Sequence, residues 1–186
     1  MIFNKKTISE CAEVISGVLE QRDAEETYYA VVPCQITPKG LVAEYGKIQR
    51  ESVDASCFLH VNDVIIKRLN PDCAVVFKDD NIKALPSANL FVLRPFANVI
   101  DPYYLAFILE SSKIINHMSQ RSGIGNAVSA ITITQIRKCE IPLPPLELQR
   151  KLGKLWELHK EEERLLHKLL AENNRRLRAL CKKIHI

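Results

Sequence analysis

The stretch Ile141-Pro-Leu-Pro-Pro-Leu-Glu-Leu-Gln149 is followed by 37 residues, 150–186, that hold no proline and a single glycine, Gly153. Three prolines within four positions cannot lie inside a helix or a central strand, because each lacks a donor N–H and fixes φ. They make a stiff, extended strut. The run behind them predicts a continuous helix, roughly 50 Å long at 1.5 Å per residue. Such a helix has an apolar stripe to bury and little of its own domain beside it. It is expected to pack on another chain.

The stripe can be traced by residue. Leu152, Leu155, His159, Glu162, Leu166, Leu169, Asn173, Leu177, Leu180 and Ile184 follow one another at steps of three and four. This is a heptad seam with one 11-residue step, where a supercoil relaxes. Asn173 stands in the seam, where a polar residue fixes register and partner number. The stripe is narrow and its flanks are charged, which favours a coiled coil over a helix folded along its own domain. Leu152, Leu155, Leu166, Leu169, Asn173, Leu177, Leu180 and Ile184 are the expected dimerisation residues.

Upstream the pattern is mixed. Thr7-Ile-Ser-Glu-Cys-Ala-Glu-Val-Ile-Ser-Gly17 is expected to form a short amphipathic helix, capped at Thr7 or Ser9 and ended by Gly17. Tyr28-Tyr-Ala-Val-Val-Pro33 reads as a strand. A turn and a short strand lie between Gly40 and Gly46. Phe58-Leu-His-Val61 and Val64-Ile-Ile66 read as strands around a turn at Asn62-Asp63. Cys73-Ala-Val-Val-Phe77 and Leu90-Phe-Val-Leu-Arg-Pro95 are further strands. Asp101-Pro102 opens a helix as N-cap and N1. Its apolar positions Leu105, Ile108, Leu109, Ile115 and Met118 recur at helical spacing. Ser122-Gly-Ile-Gly-Asn126 is a loop, and Thr132 or Thr134 is placed to cap a segment at 134–138. The class is α+β: a mixed β-sheet domain followed by a long C-terminal coiled-coil helix.

Hydrophobic residues make up 47% of the chain and charged residues 26%, the balance of a soluble globular protein. No apolar run approaches the roughly 20 residues that span a membrane. The N-terminus carries no signal pattern, and the expected location is the cytoplasm. The six cysteines have no CxxC spacing, which argues against a zinc site and for reduced, partly buried thiols. Net charge is +4, unevenly spread. Residues 150–186 hold 11 Lys+Arg against 5 Asp+Glu, and residues 1–149 hold 15 against 17. A domain with that balance can bind a polyanion only through a local patch.

Catalytic signatures are missing. Asp101-Pro-Tyr-Tyr104 resembles the acidic-Pro-Pro-aromatic motif of amino-methyltransferases without its second proline, and the cap reading is preferred. Asn70-Pro71-Asp72 is a turn. Gly123-Ile-Gly125 follows a helix rather than a strand, so it is no dinucleotide fingerprint. The five histidines show no ligand spacing. No catalytic residue, cofactor or metal is expected, and the chain reads as a binding module. The candidate contact residues are polar ones beside turns: Lys67 and Arg68 at a strand end, Lys47, Gln49 and Arg50 after Gly46, and Arg121, Ser122 and Asn126 around the glycine loop. Arginine reads guanine bidentately, and either cation holds phosphate.

The order of these segments resembles the specificity subunit of type I restriction-modification systems. The matching pieces begin with Ile8-Ser-Glu-Cys-Ala-Glu-Val-Ile-Ser-Gly17. Asn62-Asp-Val-Ile-Ile-Lys-Arg68 is similar to the family's Gly-Asp-Ile-Leu-Ile-type strand. Leu85-Pro-Ser-Ala-Asn-Leu-Phe-Val-Leu-Arg-Pro95, Tyr103-Tyr-Leu-Ala-Phe-Ile-Leu-Glu-Ser-Ser112, the glycine loop and Ile131-Thr-Ile-Thr134 follow. The most specific piece is the Pro-rich block with its long helix. Asn62 stands where the family usually has glycine, and Leu148 where glutamate is commoner.

The resemblance implies a target-recognition domain at about 1–140, then a Pro-rich strut and long dimerisation helix at 141–186. Family members carry two such units in tandem, their long helices antiparallel, each domain reading half of a split DNA target. This chain has one unit, so the resemblance implies a homodimer. Double-stranded DNA, a second copy, the methyltransferase (modification) subunit and a restriction subunit are the implied partners. Methyl transfer and cleavage would belong to those subunits. The rival reading is a protein-interaction scaffold that keeps these surfaces but has lost specific DNA binding.

Overall fold

The structure, a computed structural model, describes residues 3–38, 40–41, 44–119 and 130–183. The chain opens on β1 (Lys5–Thr7) and turns through a 3-10 helix at Ile8–Glu10 into β2 (Ala12–Ser16). β3 (Thr27–Val31), β4 (Ile36–Thr37), β5 (Gly40–Leu41) and β6 (Gly46–Gln49) follow. Next come β7 (Val64–Lys67), β8 (Ala74–Val76), β9 (Ala84–Pro86) and β10 (Leu90–Pro95). α1 (Pro102–Leu109), α2 (Ser112–Ser119) and α3 (Ile133–Lys138) lead to β11 (Glu140–Pro142) and to α4 (Leu146–Lys183). The α+β class expected from the sequence is what the chain forms.

The central sheet runs β2-β10-β7-β8, all antiparallel, and a second sheet runs β6-β3-β9. The central strands are buried on both faces, which is why Val64-Ile-Ile66 and Leu90-Phe-Val-Leu93 are continuous apolar runs. Val64, Ile66, Phe91 and Leu93 face α1 with Val14, while Ile65, Leu90 and Val92 face a second cluster with Val31, Ile36 and Phe77. The period-2 alternation of side chains divides each run between two cores.

Several expectations are corrected here. The segment 7–17 is not a helix. Its cap signal is real, since the Thr7 N–H donates to Glu10 Oε2 at 2.8 Å, but it closes only one 3-10 turn. Beyond it Ala12 and Val14 are buried and Glu13 is exposed, a strand alternation that pairing with β10 secures. Gly17 is not a helix stop. A Cβ there would lie 1.9 Å from the Ser87 carbonyl oxygen, so the glycine permits close passage of two backbones.

The segment 58–61 is not a strand. The Leu59 N–H donates to Ala84, and the Phe58 carbonyl accepts from the Arg94 guanidinium at 2.8 Å. A side chain supplies the partner that a ladder would otherwise provide. The same guanidinium grips Asp63, 1% exposed, through both carboxylate oxygens. Asn62, at the family's glycine position, has φ 74°. That left-handed conformation suits glycine first and asparagine next.

The helix begun at Asp101 is capped as expected, with Asp101 Oδ1 accepting the Tyr104 N–H at 2.9 Å. It does not run on through Ile115 and Met118. It ends at Leu109, and α2 restarts at Ser112. Glu110 lies at the break, and its carboxylate accepts the Ala74 N–H, the Trp156 indole N–H and the Lys160 ammonium. Thr132 caps α3.

The strut does more than extend. Ile141, fully buried, and Pro142 pair antiparallel with Lys6 and Lys5 of β1, an edge position that tolerates proline. α4 then runs 38 residues, about 57 Å at 1.5 Å per residue. Only its first turns rest on the domain. Gly153 passes so close to α1 that a Cβ would lie 2.6 Å from Asp101 Oδ1, and Leu152 and Trp156 pack on the core. Among the described residues no helix is long and apolar enough to cross a membrane.

Candidate nucleic-acid interface and helix-pairing seam

Strand register gathers most of the candidate contact residues. Lys67 lies opposite Leu90, and Ser16 opposite Phe91, so the turns after β2, after β7 and before β10 share one end of the central sheet. Arg68 donates its N–H to Asn89 and its carbonyl accepts from Ile131. Val18 bridges to Ser87 in the same set of turns. Arg50 reaches this end from the second sheet, its Nη1 donating to the Leu19 carbonyl at 2.9 Å. Gln49 is tied to it through the Gln21 N–H. Lys47 sits two residues back on the exposed face of β6, opposite Tyr29. Arg121, Ser122 and Asn126 lie outside the described residues, but Ala130, just beyond them, bridges to Leu69. Ala130 and Ile131 thus lie beside Leu69 and Arg68.

The cations at this end differ in availability. Lys67 is one-fifth exposed and its Nζ lies 2.8 Å from Asp72 Oδ1. Burial alone would raise the Asp72 carboxyl, but hydrogen bonds from Lys67 and Cys73 carry it below the usual carboxylate range. The Cys73 thiol beside it is pushed up to about 12, by burial first and the Asp72 charge second. Lys67 thus forms part of a closed pair. Arg68 is exposed, with its guanidinium carbon 5.9 Å from the centre of the Phe91 ring. Arg50 spends one donor on Leu19, and Lys47 projects into solvent.

The second surface is α4. Leu155, Leu166, Leu169, Leu177 and Leu180 are 54–66% exposed, and Asn173 is exposed among them. Leu152 differs from the rest because it packs on the chain's own core. Ile184 lies outside the described residues. Sequence stepping passed over Leu158, Leu165 and Leu170, which are 49–58% exposed and broaden the same side. The i, i+3 alternatives from Leu155 and Glu162 hold the signal that finds the first two.

Sequence reading also missed the joint. Gln149 is 1% exposed, accepts the Asp101 N–H at 3.0 Å, and donates to the Pro144 and Val99 carbonyls. Among the described residues no three or more His, Cys, Asp or Glu side chains gather as a metal site would require. All six cysteines are free, and Cys11, Cys73 and Cys139 are buried.

This arrangement has close counterparts. A family model described as the type I restriction modification DNA specificity domain matches residues 6–172. A protein assigned as the MjaX type I restriction enzyme specificity subunit of Methanocaldococcus jannaschii is 31% identical over 124 residues, covering 64% of this chain and 28% of that protein. The fold matches the HsdS subunit of Thermoanaerobacter tengcongensis with a TM-score of 0.67 at 21% identity, over 97% of this chain and 48% of that one. It matches the type I restriction-modification S subunit of M. genitalium with a TM-score of 0.60 at 14% identity, over 96% and 44%. The chain thus spans about half the length of the solved subunits it matches. With the family model running from β1 far into α4, the chain belongs to the family of type I restriction-modification DNA specificity domains.

Proposed function

We propose that this chain is the non-catalytic, DNA-recognising specificity subunit of a type I-like restriction-modification system, and that two copies joined through α4 read a split target. One observation carries the reading. Eight leucines between Leu155 and Leu180 are 49–66% exposed on a helix whose first turns alone rest on the domain. Covering such a seam from both copies supplies on the order of 10 kcal/mol before association entropy is counted.

Charge placement favours antiparallel pairing. Glu161, Glu162 and Glu163 precede the Leu166–Leu169 midpoint and Arg175, Arg176 and Arg178 follow it. A parallel pair would set like charges side by side, whereas an antiparallel pair opposes acid to base. The recognition domains then stand at opposite ends of the paired helices. In this reading, phosphate contacts set position and Arg68 with its neighbours reads bases. Modification and restriction subunits would be recruited in the cytoplasm and would supply all chemistry.

The scaffold alternative draws on one observation, the closure of Lys67 onto Asp72 in a domain with negative balance. Sedimentation and duplex binding separate the readings. A dimer that becomes monomeric on Leu166→Asp/Leu169→Asp substitution, and that binds duplex DNA with strong salt dependence, supports the proposal. A monomeric native protein contradicts it. A dimer indifferent to salt favours the scaffold.

A further inference from the structure

Six of the fifteen Lys and Arg residues of the recognition domain have partners within the chain. Lys67 is held by Asp72, Arg94 by Asp63, Lys78 by Glu157 and Lys5 by Glu140. Arg50 and Arg137 donate to the Leu19 and Val14 carbonyls. The excess positive charge instead lies at 150–186. Its position on α4 is ordered. At about 100° per residue, Arg164, Lys168, Arg175, Arg178 and Lys182 fall within an arc of about 80°. All five are exposed. The residue between them on this arc is small, Ala171, with Ala179 just outside it, and between Arg164 and Lys182 no carboxylate lies inside it. Glu172 stands at its margin, paired with Arg175 and Arg176.

Two geometric facts give this stripe a use. Its centre lies about 180° around the helix from the leucine seam, so a dimer joined through the seam leaves it bare. Followed back toward Leu146, the same side of α4 carries Gly153 and Trp156, which face the recognition domain. Domain and stripe therefore share one side of the molecule. They meet at a cleft of about 470 Å³ whose lining includes Lys78, Tyr103, Trp156 and Arg164 together with the carboxylates of Asp79, Glu157 and Glu161.

We propose that Lys168, Arg175, Arg178 and Lys182 form a phosphate-binding rail along α4 for duplex DNA continuing past the half-site that the domain reads. The proposal rests on the DNA-reading function above. From Lys168 to Lys182 the rail is about 21 Å long. Protein partners dock through apolar and aromatic anchors, and this stripe has only Ala171 between its cations and Ala179 at its margin. Four exposed cations in line along one face, of which Arg175 also pairs with Glu172, suit the charge of a duplex backbone. The rail supplies sequence-independent affinity, and the turn face around Arg68 supplies discrimination.

The test is the salt dependence of binding to a generic-sequence duplex between about 50 and 200 mM salt. The variant is Lys168→Gln/Arg175→Gln/Arg178→Gln/Lys182→Gln, since glutamine keeps helix propensity. Four lost contacts should lower the slope of log affinity against log salt by about 3.6, at roughly 0.9 each. Arg175→Lys/Arg178→Lys should leave it in place. Should the fourfold variant lose helicity or its dimer, Arg178→Gln/Lys182→Gln should still lower the slope by about 1.8. An unchanged slope overturns the rail while leaving DNA reading intact. So does loss of the purified modification subunit with the slope retained, which would make the stripe a protein-docking face. A native protein that binds no duplex at low salt overturns the rail and the proposed function together.

Discussion

The side chain of Gln149 accepts the backbone N–H of Asp101 at 3.0 Å, the same residue whose carboxylate caps α1. The same amide donates to Pro144 at 2.8 Å and to Val99 at 3.3 Å. One buried side chain thus fixes where the Pro-rich strut ends and where α4 leaves the domain. Replacement by leucine leaves an N–H and two carbonyls without partners, at about 1–3 kcal/mol for each group that water cannot reach. Gln149→Leu should lower unfolding stability by about 3 kcal/mol in urea titration. Gln149→Glu should fare no better, because a carboxylate cannot donate to Pro144 or Val99.

Gly153 sets two effects against each other. Alanine at a helix interior position gains about 1 kcal/mol in propensity over glycine. Here its Cβ would meet Asp101 Oδ1 at 2.6 Å and the Tyr104 backbone nitrogen at 2.7 Å. Overpacking against backbone costs about 1–3 kcal/mol, so Gly153→Ala should destabilise or shift α4 on α1. Thermal unfolding decides the sign. A rise in melting temperature would show that the crossing has slack.

Acid should loosen the hold of α4 on the sheet domain. Hydrogen bonds from Lys78, then Lys154, hold the Glu157 carboxyl below its usual 4.5. A carboxylate depressed in the folded state contributes its stability above its unfolded pKa, and loses it as pH falls through the folded value. The Glu157 contribution should therefore be full above about pH 4.5 and fade as pH drops from there through the lower folded-state value. Glu157→Gln should flatten that part of the stability profile followed by circular dichroism. An identical profile would mean that Glu157 carries no net coupling.

Arg68 and Lys67 should separate on substitution. Arg68→Ala, if it removes a bidentate base contact, should cost about 1–3 kcal/mol on the cognate site and relax preference at one base pair. Lys67→Ala breaks a pair already closed on Asp72 and should change affinity little. Competition binding in the assembled methyltransferase measures both. Equal losses would show that Lys67 leaves Asp72 when DNA arrives.

The parts of the fold legible in the sequence were those with one dominant local cause. Asp101-Pro102 specified a helix start, three prolines specified the strut, and unbroken apolar runs specified β7, β8 and β10. The failures had long-range causes. Residues 12–16 form a strand because β10 offers a partner, whatever the helical look of Ser9 and Gly17. Residues 58–61 stay irregular because Arg94, distant in sequence, takes the Phe58 carbonyl, and the His60 carbonyl accepts from Asp63. For the candidate site, residue type and turn position pointed to Lys67 and Arg68 alike, and that Lys67 pairs with Asp72 while Arg68 stays exposed needed the structure. The seam was legible as a period. That Leu152 belongs to the domain and Leu158 to the open side needed the contacts of α4 with α1.

The chain alone should transfer no methyl group. The motifs for a methyl donor are incomplete at Asp101-Pro-Tyr-Tyr104, where the carboxylate is committed to capping α1. Incubation of the purified protein with duplex DNA and labelled S-adenosylmethionine should leave the DNA unlabelled. Incorporation above background would return Asp101 to the list of catalytic candidates.

The most direct measurement is the sequence selected from a random duplex library by the native protein assembled with its modification subunit. Two identical domains held at opposite ends of paired helices should select one half-site twice, inverted, across a fixed unspecified gap. Leu166→Asp/Leu169→Asp protein should lose that pairing. A single contiguous motif without an inverted partner, selected by the native protein, would contradict the account.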